Sequence, residues 1–175
     1  MSETPEDLEA IAARVERGDD PYPVPEELLV EPENGAPVNK SLFAQILLMR
    51  VGERVKLALR GNRDARMILI RDPNRLIQRF VLRNPRISDE EVISVARNRN
   101  ADTDLLRIIG DHKHWSRNYQ VRLGLVTNPK TPLAIALHFV SGLTERDLRF
   151  LVKSKNVSAT VVAQVRRLLM QREQR

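Results

Sequence analysis

The sequence predicts an all-α protein: a short right-handed α-solenoid of helix–turn–helix repeats, preceded by a mostly irregular acidic tail. Apolar residues make up 42% of the 175-residue chain but aromatic residues only 4%, so the core must be aliphatic. The chain aligns with itself at an offset of 28 residues. Within each repeat, aliphatic positions recur at the spacing of one helical face.

Residues 1–40 are expected to form a separate acidic tail. Residues 4–7 read Thr-Pro-Glu-Asp, the pattern of a helix start with Thr4 as N-cap and Pro5 at the first helical position. Apolar residues at helical spacing then predict one amphipathic helix over residues 5–17. The proline-rich stretch 19–39 predicts an extended linker. The apolar run 28–30 could dock on the body or on a partner, but we expect a disordered linker without docking.

Residues 41–175 are expected to form the repeat domain. The repeats begin at one column of the alignment, formed by Asp72, Asn100, Asn128 and Asn156. Two aliphatic columns follow, four residues apart: Ile77, Leu105, Leu133 and Val161, then Val81, Ile109, Leu137 and Val165. This spacing places both columns on the buried face of the first helix of each repeat. The first helices are expected to start at Asp102, at Thr131-Pro132 and at Ser158.

The second helix of each repeat has its own signals. Predicted N-caps occupy one column, Ser88, Ser116 and Thr144, each preceded by an apolar residue, Ile87, Trp115 and Leu143. The predicted buried positions are Val95, Leu123 and Leu151. Full repeats then cover 72–99, 100–127 and 128–155, a truncated repeat covers 156–175, and residues 41–71 serve as an N-terminal cap. Each repeat is too small to bury its own apolar face, so stacking must complete the core.

Residues 128–132, Asn-Pro-Lys-Thr-Pro, followed by Leu133, Leu137 and Leu143, resemble the leucine-rich repeat variant. Residues 83–88, Arg-Asn-Pro-Arg-Ile-Ser, echo the motif half a repeat out of step. The wider resemblance is to HEAT-like bacterial α-solenoids, over about residues 66–172. The period of 28 lies between the two families' units, and the cysteine cluster of some relatives is absent. The resemblance implies a binding scaffold and transfers no catalytic residue and no redox cofactor.

Composition excludes several classes of protein. The chain has no cysteine, which rules out disulfides, thiolate metal sites and a cysteine nucleophile. No apolar run approaches the roughly 18–20 residues that cross a bilayer. The N-terminus is acidic, the reverse of the basic start of a signal peptide. We therefore expect a cytoplasmic protein.

Charge is divided unevenly along the sequence. Residues 1–40 contain eleven acids and three bases, a net charge of −8, whereas residues 41–175 have a net charge of +14. If same-column residues lie side by side, the bases form a ladder able to meet carboxylates or phosphates. The candidate partner-binding residues are Arg71, Arg75, Arg79, Arg83, Arg97, Arg99, Lys153 and Lys155. A solvated charged edge without function, produced by a compositional bias toward arginine, is the alternative.

Other candidate sites are weak. His112 and His114 flank Lys113 and offer at most half a metal site, so we read this stretch as a loop anchored by Trp115. His138 is expected to be structural. No phosphate-binding glycine loop, nucleophile elbow or paired carboxylates occur, so we expect neither an enzyme nor a cofactor or metal.

The preferred function is a protein–protein interaction adaptor or scaffold whose basic repeat surface binds an acidic or mixed segment of another protein. The alternative is a nucleic-acid-binding α-solenoid that contacts phosphates through the Arg/Lys ladder. Seven aromatic residues, several in apolar columns, leave few for base stacking, which argues against the alternative for single strands. No membrane partner is expected, and the acidic tail could itself dock on the basic surface and compete with an anionic partner.

Overall fold

The computed structural model describes residues 4–31 and 40–174. Within these residues the protein consists of eleven α-helices and no strand, which confirms the predicted all-α class. Short 3-10 turns occupy Glu26–Leu28 and Trp115–Arg117. The helices are α1 Pro5–Arg17, α2 Lys40–Leu48, α3 Val51–Arg60, α4 Arg63–Leu69, α5 Arg75–Leu82, α6 Asp89–Arg97, α7 Thr103–Asp111, α8 Tyr119–Thr127, α9 Leu133–Val140, α10 Glu145–Lys153 and α11 Ala159–Glu173.

The chain divides into two compact units, residues 1–88 and residues 89–175, here called the N-terminal and C-terminal units. In the N-terminal unit, α3 packs against α1, α4 and α5, and α2 packs against α4. In the C-terminal unit, α8 packs against α6, α7 and α9, and α11 packs against α9 and α10. The tail boundary predicted at residue 40 adjoins residues 32–39, which lie outside the described part. None of the described helices combines the length and apolar character needed to cross a bilayer.

Helix α1 matches its prediction and belongs to the core of the N-terminal unit. Thr4 caps the helix, and its hydroxyl and backbone form a capping box with Asp7. The two hydrogen bonds that Asp7 accepts from Thr4 lower the pKa of its carboxyl. Gly18 ends the helix at φ 80°, a left-handed conformation that glycine adopts without strain. Leu8, Ala12 and Val15 are at most 2% exposed, so α1 is an integral part of this unit.

The segment after α1 also docks, contrary to the expectation of an undocked linker. Leu28 is 3% exposed, and its carbonyl accepts a hydrogen bond from the backbone of Asn62. The ring of Tyr22 packs so closely on Gly52 that no side chain would fit there. Lys56 donates to the Tyr22 carbonyl and lies 2.8 Å from the Asp20 carboxylate. The sequence pattern does not predict this docking, because the apolar residues of the segment are few and are separated by prolines and acids.

Observed helix starts follow the predicted repeat. First helices begin at residues 75, 103, 133 and 159, and second helices at 89, 119 and 145. Asp102, Ser158 and Thr144 act as N-caps, as predicted. Ser116 does not: α8 starts later, capped by Asn118, because Trp115–Arg117 form a 3-10 turn around the buried Trp115. The 28-residue register is therefore displaced by two residues in α8, and α9 starts two residues late as well, at 133 with Pro132 as its N-cap.

The predicted buried face is wrong in α9. Leu105 and Ile109 of α7 are 2% and 0% exposed, as expected, but Leu133 is 44% exposed and Leu137 only half-buried. The buried residues of α9 are Ala136, Phe139 and Val140. All residues of α9 except His138 are apolar, so the sequence does not select one face, and the contacts with α8 and α11 select it instead. Leu123 of α8 is likewise only half-buried.

Three buried asparagines form hydrogen bonds that join their turns to earlier parts of the same unit. Each donates its side-chain amide to two backbone carbonyls and accepts one backbone N–H at Oδ1. Asn62 binds Glu27 and Val30, Asn84 binds Ala58 and Gly61, and Asn128 binds Ala96 and Asn98. Two of them begin the Asn-Pro motifs at 84 and 128. The asparagine of this motif is therefore a buried residue whose side chain links its turn to an earlier segment of the same unit. We call this arrangement an asparagine bracket.

Candidate functional site

Four of the eight candidate bases lie in the N-terminal unit. Arg71 is exposed in the turn after α4, Arg75 begins α5, and Arg79 lies one turn later. Arg83 follows the end of α5, and its guanidinium contacts two carboxylates of α1, Glu9 at 2.9 Å and Glu16 at 2.6 Å. One residue of the candidate surface is therefore already bound by the acidic N-terminal region.

The other four candidates are exposed residues of the C-terminal unit. Arg97 and Lys153 are the last residues of α6 and α10, where a positive charge also stabilises the helix C-terminus. Arg99 and Lys155 lie in the turns that follow. Thr127 was placed in the column of Arg99 and Lys155, but it ends α8 and so occupies the position of Arg97 and Lys153. The later start of α8 explains this shift.

The two units differ in net charge. Residues 1–88 contain fourteen bases and fourteen acids, a net charge of zero. Residues 89–175 contain fifteen bases and nine acids, so this unit carries the entire net charge of +6. The acidic N-terminal stretch therefore balances bases of its own unit. Long-range electrostatic attraction for anions is therefore expected at the C-terminal unit rather than at the N-terminal unit.

An open groove of about 720 Å³ crosses the C-terminal unit. Second helices of the repeats line it, and α8 contributes Leu123 and Thr127, which are four residues apart on one face. Arg97 comes from α6, and Arg146, Asp147 and Phe150 come from α10, with Thr144 at its N-cap. Of the eight candidate bases, the groove includes Arg97 alone.

Hydrogen bonds hold α8 and α10 together at the edge of this groove. The Tyr119 hydroxyl accepts the backbone N–H of Thr144 at 3.1 Å and donates to the Asp147 carboxylate. Asp147 also accepts the Thr144 hydroxyl at 2.9 Å. The guanidinium of Arg122 lies 5.6 Å from the centre of the Tyr119 ring. These contacts fix α10, and with it Arg146 and Phe150, relative to α8.

The groove combines two cations with exposed apolar surface. Arg97 donates to the side-chain amide of Gln120. Neither Arg97 nor Arg146 forms an ion pair with any carboxylate among residues 4–31 and 40–174. Phe150 is 66% exposed and lies in the groove lining, so its ring offers apolar contact surface next to the two cations. The arrangement suits a ligand that offers both carboxylates and an apolar group.

Sequence reasoning missed Arg146, Phe150 and Leu123 as site residues. A signal for Phe150 was present in the helical pattern of α10. Leu148 and Leu151 define the buried face of α10 and are both 0% exposed. Phe150 is off that face, so the spacing of Leu148 and Leu151 predicts that its ring is exposed.

The histidine-containing loop contains no metal-binding cluster. The His112 ring stacks on the buried Trp115 at 3.8 Å between centroids, and the His114 Nε2 lies 3.4 Å from the Asp89 carboxylate. No group of three or more His, Cys, Asp or Glu side chains converges anywhere in the described part of the chain. The contact with Trp115 agrees with the reading of this stretch as a loop anchored by an indole.

The chain matches no protein-family model, no curated protein and no solved structure.

Proposed function

We propose that the protein is a non-enzymatic interaction adaptor that binds an acidic segment of another protein in the groove of its C-terminal unit. The observation that carries the proposal is the position of Arg97 and Arg146 beside the exposed ring of Phe150. Arginine binds carboxylates through a planar fork of donors, so two such side chains provide both affinity and orientation. The net charge of +6 on this unit adds long-range attraction for an acidic partner.

The repeat arrangement belongs to the same proposal. Helix pairs that start at intervals near 28 residues support a short right-handed α-solenoid, in which the second helices of successive repeats line one surface. α6, α8 and α10 are these second helices, and all three contribute to the groove. A protein-binding groove on this face is the usual way in which such stacks recognise partners.

A nucleic acid is the alternative partner, and one feature of the groove disfavours it. Asp147 lies in the lining, where its carboxylate would repel a phosphate backbone. A peptide meets less of this repulsion because its backbone is neutral and its flexible acidic side chains can lie away from Asp147. The single exposed aromatic of the groove also provides no series of stacking platforms for successive bases.

A salt titration of binding tests the proposal. The full-length protein is mixed with fluorescent poly-glutamate, a DNA duplex and a single-stranded RNA, between about 50 and 200 mM salt. We expect poly-glutamate to bind and Arg146→Glu to weaken that binding, with Arg107→Glu, an exposed charge reversal on α7, as the matched control. Nucleic acid bound more tightly than poly-glutamate, with the steep salt dependence of several phosphate contacts, would overturn the adaptor in favour of the alternative.

A further inference from the structure

The groove has one arginine on each outer helix and an apolar residue on the helix between them, and this arrangement defines a partner more narrowly than charge does. α8 packs against α6 and is hydrogen-bonded to α10 through Tyr119, so it lies between them. Arg97 stands on the α6 side of the groove and Arg146 on the α10 side. The half-buried Leu123 lies on the helix between them.

Phe150 extends this apolar strip from α10. It follows Arg146 by four residues, so both side chains lie on the same face of α10. Leu123 and Phe150 together leave apolar surface in contact with water, and covering that surface with an apolar group favours binding. An acidic ligand without an apolar group would leave this surface uncovered.

We propose that the groove recognises a segment with one large apolar side chain between two acidic residues. The acidic residues pair with Arg97 and Arg146, and the apolar side chain packs on Leu123 and Phe150. This inference rests on the proposed function, because it specifies the acidic segment that the same groove binds. The Asp147 carboxylate, held by Tyr119 and Thr144, stays in the lining and disfavours a third acidic group at that point.

The test compares three synthetic peptides of equal length. The first has a central leucine with a glutamate on each side and neutral residues elsewhere. The second has the same composition, with the leucine moved to one end and the two glutamates adjacent. The third has the order of the first with both glutamates replaced by glutamine. Binding to the full-length protein is measured by fluorescence anisotropy.

We expect the first peptide to bind at least about tenfold more tightly than either of the others. Phe150→Ala should reduce the affinity for the first peptide by about tenfold and leave the second unchanged. Met170→Ala is the matched control, because Met170 is 63% exposed on α11, outside the groove. The double variant Arg97→Glu with Arg146→Glu should instead bind a fourth peptide, the first with lysines in place of its glutamates. Circular dichroism checks that the variants keep their helices.

The outcomes separate this inference from the proposed function. Equal binding of the first and second peptides, weakened by Arg146→Glu but not by Phe150→Ala, would overturn the apolar anchor and leave acidic-segment binding intact. Binding of the third peptide as tight as the first would overturn the role of the two arginines. If none of the acidic peptides nor poly-glutamate binds, the proposed function fails. If an RNA strand binds and Phe150→Ala weakens it, the groove is a nucleic-acid site.

Discussion

The Nη2 atom of Arg83 lies 2.6 Å from Oε1 of Glu16, which precedes it by 67 residues in the chain. Glu9, on the same helix, contacts the same guanidinium at 2.9 Å. Partial burial opposes the charge of Arg83, but the hydrogen bonds and charges of the two carboxylates outweigh it and raise its pKa above the ordinary value. The acidic N-terminal helix is thus paired with a base of its own unit.

The first prediction concerns the packing of α1. Leu8 is 2% exposed, so Leu8→Ala should lower the free energy of unfolding by about 2–5 kcal/mol, through lost apolar burial and the cavity left behind. Leu48→Ala is the control, because Leu48 is 87% exposed and should cost less than about 0.5 kcal/mol. Urea denaturation followed by circular dichroism measures both. Equal costs for the two variants would show that α1 is not part of the core.

The second prediction concerns the asparagine brackets. Asn128→Ala removes two hydrogen bonds to the carbonyls of Ala96 and Asn98, and should cost about 1–3 kcal/mol. Asn100 occupies the same column of the repeat but is exposed, so Asn100→Ala should leave the unfolding midpoint nearly unchanged. The same denaturation measurement compares them. A loss of unfolding free energy for Asn100→Ala as large as that for Asn128→Ala would contradict the structural role assigned to Asn128.

The all-α class and most helix positions follow from the sequence because local chemistry determines them. Thr4, Asp102, Thr144 and Ser158 cap helices as their sequence context predicts, and the first-helix columns of α5, α7 and α11 are buried. The groove does not follow, because it depends on which helix faces come together. Which face of α9 is buried is likewise determined by contacts with other helices and not by the sequence of α9 alone.

The third prediction tests which face of α9 is buried. Leu105 of α7 and Leu133 of α9 share a column of the repeat but are 2% and 44% exposed. Leu105→Ala should cost about 2–5 kcal/mol, whereas Leu133→Ala should cost less than about 1 kcal/mol. Differential scanning calorimetry of the two variants measures the difference. Similar losses of stability at both sites would mean that Leu133, like Leu105, faces the core.

The fourth prediction concerns Glu31, which joins the docked segment to α4. Burial opposes its charge, but hydrogen bonds from the Arg66 side chain and the Arg63 backbone, with the charges of Arg66 and Arg86, outweigh burial and lower the pKa of Glu31 below its ordinary 4.5. The folded protein thus releases this proton more readily than the unfolded chain does. The resulting stabilisation is complete above pH of about 4.5 and is lost as the pH falls through the lower folded pKa.

Glu31→Gln removes this contribution. The difference in free energy of unfolding between the native protein and the variant should be largest near neutral pH, about 1 kcal/mol or less because solvent screens the 40% exposed Glu31 side chain, and should vanish in acid. Urea denaturation at several pH values measures it. Glu26→Gln, an exposed neutralisation in the same segment, is the control. A difference that grows as the pH falls would reverse the assigned sign.

The last prediction separates two roles of the N-terminal region, a detachable competitor for the basic surface and a part of the core. Deleting residues 1–31 removes four buried apolar side chains, Leu8, Ala12, Val15 and Leu28, from the N-terminal unit. We expect the truncated protein to lose helix signal beyond that of α1 itself, because α3 and α5 lose their apolar cover. The double variant Glu9→Gln with Glu16→Gln should keep the fold, since exposed ion pairs contribute about 1 kcal/mol or less each. Circular dichroism and thermal unfolding compare the two proteins. A truncated protein that unfolds as cooperatively as the full chain and binds poly-glutamate more tightly would establish the competitor instead.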